Sequence, residues 1–392
     1  MPIEPKPVVL FVVPSAYILG GVQVWLGYLI NALNQHGMTA VCGAVDGQFH
    51  SSKAYLDHYK FEHSVVIKNE SGSRWGRVRA IADAINEVAA DIVLSVNIPD
   101  SYQATGLARF EQQRSVKLMA TVHALEPDYF ADIDSQNLLI DGVLVTNRLT
   151  HLAMQKLTCI RPETIYYAPY GVELKSNQSS KREDVSPLTI LYSGRIENQQ
   201  KRCKDLIDIA TVLHATNLDF RLIVAGDGEY RVELEELLEK TLPAKNFSFL
   251  GVVERTELLE QVLPNCDVMI ITSAWETGPI VAWEAMAAGV TVVSSRYLGI
   301  EQERALIDQE NCLLFDVGDT AAAARALAAL RDLELRETLN SSALALVKQR
   351  YTVEVSVRAT AKRIKEVLLR PDLSRTIEPS DIDWPANGRI ES

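Results

Sequence analysis

Short apolar runs alternate with longer amphipathic segments along the first part of the chain. The apolar runs that predict buried strands lie at 8–13, 39–45, 64–67, 91–96, 116–122 and 142–146. The segments between them have helical spacing of apolar residues, as in 22–37, which ends in Gly37, and in 74–90. Apolar strands that alternate with helices are typical of a parallel sheet covered on both faces. The pattern therefore predicts a doubly wound α/β domain.

A second domain of the same kind is predicted after the polar segment 176–187, which has no apolar period and is interpreted as a linker. Strands are predicted there at 188–194, 220–226, 247–251, 267–273 and 290–295, and helices near 202–215, 230–240, 255–263 and 279–288. Two long helical stretches follow at 319–348 and 352–369. The predicted domains are thus 1–175 and 188–351, with a tail at 371–392 that is poorly ordered or lies on the surface.

Composition limits the partner and the compartment. The 392 residues suffice for two domains, and 51 acidic against 39 basic residues give a net charge of -12. This charge argues against nucleic acid as the main partner. The five cysteines are odd in number and form no C-x-x-C pair, which indicates reduced thiols in a cytoplasmic protein. The run 8–13 is too short for a signal peptide or a membrane span.

No metal site is predicted. The seven histidines are scattered without the spacing of metal ligands. The D-x-D triplets at 132–134 and 381–383 do not follow a predicted strand.

Polar candidates lie where predicted strands end, which is where ligands bind in open parallel sheets. Gly20 and Gly21 follow the first strand and form either a cradle for phosphate or sugar hydroxyls or a simple turn. Arg195 and Lys201 follow the first strand of the second domain, and they either clamp a diphosphate or are solvated cations. A further glycine-rich turn lies at 225–229.

Two acids stand out in the apolar stretch 273–289. Glu276 is predicted in the loop after a strand and Glu284 inside the next helix, which Pro279 opens. A buried carboxylate needs hydrogen-bond partners, so the pair favours a polar ligand such as a ribose over a structural arginine such as Arg296. His123, at the end of another strand, is equally consistent with a substrate contact and with a structural histidine.

Taken together, these motifs resemble those of the retaining glycosyltransferases of the GT-B fold, in family four of the glycosyltransferase classification. The resemblance spans about 8–370 and rests on LGGV (19–22), SGRIENQQK (193–201), AGDGE (225–229), FLG (249–251), E-x7-E (276–284) and NCLLFDVGD (311–319). It implies two Rossmann-like domains that face a cleft, the first binding the acceptor and the second the donor. It also implies that the C-terminal helix 352–370 returns to the first domain.

The resemblance also implies roles for individual residues. Gly20 and Gly21 would approach the donor diphosphate and sugar, and His123 would contact that sugar near the reacting carbon. Arg195 and Lys201 would neutralise the leaving diphosphate. Glu276 would hold sugar hydroxyls, and Glu284 the ribose. The backbone at Leu250 and Gly251 would contact the base of the donor nucleotide. The loop residues Thr277, Gly278 and Pro279 would also contact the donor.

One loop departs from the family pattern. The family usually has Glu-Gly-Phe-Pro where this chain has Glu276-Thr277-Gly278-Pro279. The missing aromatic residue and the shifted glycine change the expected loop path and leave the transferred sugar open.

The reaction implied is transfer of a hexose-type sugar from a nucleotide-diphosphate sugar to a hydroxyl of a glycan, a lipid or a small molecule, without metal or cofactor. The configuration at the reacting sugar carbon would be retained, because the acceptor hydroxyl would attack from the same face from which the phosphate leaves. Two alternatives remain open: a catalytically silent nucleotide-sugar-binding subunit, and a GT-B-like sugar-nucleotide epimerase. A dehydrogenase is disfavoured because no dinucleotide fingerprint is present.

The acceptor is expected in the N-terminal half. The segment 68–79, KNESGSRWGRVR, carries four cations around Trp75. It is either a solvated helix start, which is the favoured interpretation, or a peripheral contact with an anionic membrane that carries a lipid-linked acceptor. The protein is expected in the cytoplasm. A peripheral membrane contact would be made with the inner face of the membrane.

Overall fold

The computed structural model describes residues 6–14, 21–47, 51–112, 115–174 and 187–371, together with residues 378, 380, 382 and 384. Most of the predicted linker, together with Gly20 and the triplet residues Asp381 and Asp383, lies outside these ranges. The described residues fall into two compact units, one within 1–170 and 353–392 and the other within 171–352.

The strands and helices are as follows. The strands are β1 (Val8–Pro14), β2 (Thr39–Val45), β3 (Ser64–Ile67), β4 (Ile92–Val96), β5 (Lys117–Val122), β6 (Gly142–Val145), β7 (Ile165–Tyr167), β8 (Leu188–Ser193), β9 (Phe220–Ala225), β10 (Phe247–Gly251), β11 (Val268–Ile271), β12 (Thr291–Ser295) and β13 (Leu313–Phe315). The helices are α1 (Gly21–Leu33), α2 (Ser52–Tyr59), α3 (Arg74–Glu87), α4 (Asp100–Gln112), α5 (Pro127–Ser135), α6 (Arg148–Leu157), α7 (Asp205–Ala215), α8 (Arg231–Thr241), α9 (Arg255–Glu257), α10 (Ile280–Ala288), α11 (Ile300–Glu303), α12 (Thr320–Ala329), α13 (Leu333–Arg350) and α14 (Val353–Leu368).

The N-terminal unit is built on a parallel sheet of order β3-β2-β1-β4-β5-β6-β7. In its centre Leu10 pairs in register with Val41 on one side and Val93 on the other. All three side chains are buried, because helices cover both faces of the sheet. Helix α14 belongs to this unit and contacts α1.

The C-terminal unit is built on a second parallel sheet, of order β10-β9-β8-β11-β12-β13. Strand order reverses between β8 and β11, and ligands bind at such a switch point in open α/β sheets. The prediction of two doubly wound parallel-sheet domains is confirmed.

The secondary structure differs from the sequence prediction in several places. The two edge strands β7 and β13 were not predicted, because three-residue strands carry too little pattern. The stretch 319–348 is two helices, since Asp332 caps α13 by accepting hydrogen bonds from the backbone N–H groups of Glu334 and Leu335. The segment 255–263 continues from α9 as a π-helical turn and then a 3-10 turn that contains Pro264.

The tail does not only lie on the surface. Ile382 is 6% exposed and belongs to the apolar core of the N-terminal unit. Trp384 packs edge-on against Trp75 with ring centroids 5.6 Å apart.

Candidate functional site

The centre of the candidate site is an ion pair between two loops of the C-terminal unit. Lys201 lies in the loop after β8 and Glu276 in the loop after β11, and their Nζ and Oε1 atoms are 2.6 Å apart. Oε1 of Glu276 also accepts a hydrogen bond of 2.6 Å from the hydroxyl of Ser273. Glu276 is buried, so it needs these partners. Among the described residues its Oε2 atom accepts no hydrogen bond, which leaves one oxygen for a ligand hydroxyl.

Gln200 joins the two loops and positions Arg195. Its side-chain Oε1 accepts a 2.7 Å hydrogen bond from Nη2 of Arg195, and its Nε2 donates to the carbonyl of Trp275 at 3.0 Å. Its own carbonyl accepts from the N–H of Ala274 at 2.7 Å. Arg195 is exposed at the carboxyl end of β8. The sequence analysis missed Gln200, although its position beside Lys201 was the available signal.

The glycines of the 225–229 turn serve backbone packing. A Cβ atom on Gly226 would lie 1.9 Å from the carbonyl oxygen of Gly194, and one on Gly228 would lie 2.3 Å from that of Ile196. Hydrogen bonds join the same loops, from Gly194 N–H to the Ala225 carbonyl at 3.0 Å and from Ile196 N–H to the Asp227 carbonyl at 2.9 Å. The turn therefore holds the backbone that carries Arg195, which is a different reason for glycine than contact with an anion.

Glu284 lies inside α10 and is 5% exposed. Its Oε1 accepts a 2.7 Å hydrogen bond from Nε of Arg255, the first residue of α9. Arg296, suggested by the sequence as the alternative partner, instead pairs with Asp308 at 2.7 Å. Burial raises the pKa of the Glu284 carboxyl, and the neighbouring Arg255 opposes that shift. No short-range sequence signal identifies Arg255, which reaches Glu284 from the start of α9.

The loop that departs from the family pattern runs directly into α10. Gly278 has φ +90°, a left-handed conformation that glycine adopts without strain. Pro279 is the N-cap residue, and α10 begins at Ile280. Thr277 and Gly278 thus lead from Glu276 to a helix N-terminus, whose free N–H groups favour an anion.

Leu250 and Gly251 end β10. Leu250 is 44% exposed, and the next residue but one, Val252, is 66% exposed. The carbonyl of Gly251 accepts a 2.7 Å hydrogen bond from the N–H of Gly226, which ties β10 to the 225–229 turn. Exposed apolar side chains beside an open backbone suit a flat aromatic base.

His123 lies in the N-terminal unit and has partners on both ring nitrogens. Nδ1 is 2.8 Å from the hydroxyl of Tyr170, and Nε2 is 3.0 Å from that of Thr121. Thr121 donates its own proton to the carbonyl of Ser95, so it accepts from Nε2–H, and Nδ1 accepts from Tyr170. Burial lowers the pKa of His123 to about 3, which keeps it neutral. The geometry is that of a satisfied structural histidine.

The remaining predictions in the N-terminal half concern Gly20, Gly21 and the segment 68–79. Gly21 is the exposed first residue of α1, while Gly20 lies outside the described residues. In the segment 68–79, Arg74 and Arg77 both pair with the buried Asp100, and Arg79 pairs with Glu111. These arginines therefore neutralise acids of the same unit.

In the part of the chain that the structure describes, three or more His, Cys, Asp or Glu side chains nowhere cluster as a metal site. None of the described helices has the length and apolarity to span a membrane.

Comparison with known proteins shows which proteins this chain resembles. Residues 175–345 match the family model described as Glycosyl transferases group 1. The glycogen synthase of Mycobacterium tuberculosis is 28% identical over 239 residues, 59% of this chain and 54% of that protein. The lipopolysaccharide 1,6-galactosyltransferase of Salmonella typhimurium is 22% identical over 255 residues, 62% of this chain and 67% of that protein. The chain thus spans about half the length of the mycobacterial relative.

Solved structures show the same fold. The crystal structure of Anabaena HepE in complex with UDP-glucose superposes with a TM-score of 0.74 at 20% identity, over 92% of this chain and 99% of that one. The structural likeness shows the GT-B fold, and the family match over residues 175–345 confirms, for that part of the chain, the resemblance to glycosyltransferases found in the sequence.

Proposed function

We propose that the protein is a retaining, metal-independent glycosyltransferase that moves a hexose-type sugar from a nucleotide-diphosphate sugar to an acceptor hydroxyl. The observation that carries this proposal is the contact of Lys201 with Glu276 at the carboxyl ends of two neighbouring strands, 2.6 Å apart. A cation and a sugar-binding carboxylate are the two groups that a sugar diphosphate requires side by side.

The cations of the site have a direct chemical use. Cleavage of the bond between sugar and phosphate builds negative charge on the diphosphate. Lys201 keeps two ammonium donors beyond its bond to Glu276, and Arg195 is held at the same strand end by Gln200. These fixed cations and the N-terminus of α10 supply the stabilisation that a metal ion would otherwise provide.

The two buried acids would bind hydroxyl groups. Oε2 of Glu276 accepts no hydrogen bond among the described residues, and a donor sugar hydroxyl would complete it. Glu284 shares its Oε1 with Arg255, and the ribose hydroxyls would donate to the same carboxylate. The exposed Leu250 and Val252 would lie against the base.

Retention is proposed to follow from front-face attack, with the leaving phosphate accepting the proton of the acceptor hydroxyl. The sugar passes through an oxocarbenium-like state. Glu276 is bonded to a lysine and a serine, so it suits positioning of the sugar rather than nucleophilic attack. Because His123 is neutral and fully engaged, any contact it makes with the sugar is not a proton transfer.

The acceptor is proposed to be a glycan or a lipid-linked glycan that binds the N-terminal unit. The names of two relatives, a glycogen synthase and a lipopolysaccharide galactosyltransferase, support a glycan hydroxyl.

Thermal unfolding against UDP-, GDP- and ADP-sugars tests the donor site. We expect one donor class to stabilise the chain by about 2.7 kcal/mol at 100 times its dissociation constant. That is a shift of about 5–10 °C for a unit of this size. Glu284→Ala and Arg195→Ala should abolish the shift, whereas Arg325→Ala, at an exposed position of α12, should not.

Three outcomes would redirect the assignment. Absence of a shift with every donor would refute the donor site. A shift without nucleotide release on addition of glycan acceptors would indicate a silent binding subunit. A changed sugar in the absence of acceptor would indicate an epimerase.

A further inference from the structure

A groove of about 750 Å³ runs along the outer edge of the N-terminal sheet, beside the edge strand β7. Its walls are the first turn of α6, the turn before β7 and the last turns of α14. Its volume lies in the range of small-molecule sites. None of the residues assigned to the donor or acceptor chemistry lines it.

Three arginines stack on two tyrosine rings in this groove. The guanidinium of Arg148 lies 4.5 Å from the ring centroid of Tyr167. Arg363 and Arg370 lie 5.6 Å and 5.4 Å from the ring centroid of Tyr166, so one ring carries two cations. Such stacking fixes the planes of the guanidinium groups and leaves their N–H edges available for a ligand.

The hydroxyl of Tyr166 is the second observation. Tyr166 is 6% exposed, and its hydroxyl has no hydrogen-bond partner in the part of the chain that the structure describes. A buried hydroxyl without a partner costs free energy, which a ligand atom in the groove would recover. The ring is held in place because it packs over Gly142, where a Cβ would lie 3.0 Å from Cε2 of Tyr166.

The charge of the groove favours an anion. Arg148, Arg363 and Arg370 outnumber Glu163 and Glu366, in a chain whose net charge is -12. Among the described residues, Arg363 uses Nη1 for Glu366, and Arg370 uses Nη2 for the carbonyl of Glu163. Each guanidinium therefore keeps further donors, since arginine carries five.

The groups beside the groove, His151 and the N-terminus of α6, are compatible with its positive charge. Burial and the positive charges of Arg148 and Arg363 lower the pKa of His151, which therefore adds no charge of its own near neutral pH. Helix α6 begins at Arg148, so its N-terminus adds a partial positive charge.

We propose that this groove is a second binding site, which takes a phosphate group carried on a sugar or another polyol. The phosphate would bind between Arg148, Arg363 and Arg370, with Tyr166 donating its hydroxyl to a phosphate oxygen. The polyol would lie against the tyrosine rings. The same chemistry occurs in soluble sugar phosphates and in inositol-type lipid headgroups.

Binding to the full chain tests the site, with glucose 6-phosphate, inorganic phosphate and glucose as soluble probes. Vesicles of phosphatidylinositol, compared with phosphatidylcholine vesicles, test the lipid source. All measurements are made in a Lys201→Met background, which removes a cation of the donor site. We expect the phosphorylated sugar or the inositol vesicles to bind and glucose not to bind.

The variants separate this site from general charge attraction. Tyr166→Phe removes only the hydroxyl, and Arg148→Gln removes an exposed cation; each should weaken binding at least about ten-fold. Arg358→Gln, on the exposed face of α14 and outside the groove, should leave it unchanged. Equal binding by all three variants, equal binding of glucose, or no binding of any probe would overturn the proposal. Because the groove residues lie outside the donor site and the Lys201→Met change is common to all samples, the differences between the variants are independent of the donor assignment.

Discussion

Lys201 is the residue on which the proposed chemistry depends most. Besides Ser273, its ammonium is the only side-chain partner of the Glu276 carboxylate among the described residues. Lys201→Met removes a cation that is proposed to bind the leaving diphosphate, and loss of one such electrostatic group costs about 10²–10³-fold in turnover. Transfer rates measured with the donor identified by thermal unfolding provide the check.

The matched control is Lys204→Met, at an exposed position three residues further along the chain. It keeps the same change of charge and should retain the rate of the parent chain. Comparable loss in both variants would show that Lys201 acts only through the overall charge. A folded Lys201→Met protein with normal turnover would remove Lys201 from the mechanism.

His123 predicts a pH dependence of stability rather than of catalysis. Its folded pKa of about 3 lies below the ordinary value of 6.5, so the unfolded chain binds the extra proton between these values. Stability is then fully present above the unfolded pKa and is lost as the pH falls. From pH 7.5 to pH 5.5, His123 should lower the free energy of unfolding by about 1.4 kcal/mol.

Urea denaturation at both pH values measures this difference. His123→Gln should remove about 1.4 kcal/mol of the pH dependence, whereas His63→Gln, at a side chain that is 46% exposed, should preserve it. An unchanged pH dependence in His123→Gln would mean that His123 takes up a proton in the folded chain.

At the scale of elements, the 225–229 turn predicts which glycine substitutions the fold tolerates. Gly226→Ala would place a Cβ 1.9 Å from the Gly194 carbonyl oxygen and displace the loop that carries Arg195. We expect a loss of stability of more than about 3 kcal/mol, together with weaker donor binding. Thermal unfolding and donor titration measure the two effects.

Gly37→Ala is the matched control, because Gly37 has φ +78° and no atom lies within 4 Å of the place that its Cβ would take. It should cost only the backbone strain of about 1 kcal/mol. Similar losses in the two variants would show that positive φ, rather than the close approach of the two loops, requires glycine at position 226.

The elements also show what the sequence could predict. Strand β2 matches its predicted bounds, since a strand buried on both faces is a continuous apolar run between polar turns. The edge strand β10 also matches its predicted bounds, although its side chains are only partly buried. Strand-end reasoning also selected Lys201 and Glu276, which are 75 positions apart and in contact.

The partner of Glu284 could not be predicted in the same way. Arg255 and Arg296 both follow strands of the same sheet, and only the place of each backbone in the fold and the direction of its side chain decide between them. Position 226 likewise requires glycine because a loop 32 residues away in the sequence packs closely against its backbone. The local sequence pattern carries no information about that contact.

At the scale of the whole molecule, the division into two units predicts where a ligand changes stability. Each unit has its own apolar core. Arg195, Lys201, Glu276 and Glu284 all belong to the unit within 171–352. A nucleoside diphosphate at 100 times its dissociation constant should therefore slow global hydrogen exchange in that unit about 100-fold. Amides of β8, β11 and α10 report this effect.

The complete nucleotide sugar should act more widely than the diphosphate alone. If the sugar contacts His123 and Gly21, exchange in β5 and α1 should slow only when the sugar is present. Protection of β5 by the diphosphate alone would assign the nucleotide itself to the N-terminal unit and contradict the site as drawn. Protection confined to the C-terminal unit with both ligands would leave the nucleotide site intact but remove His123 and Gly21 from it.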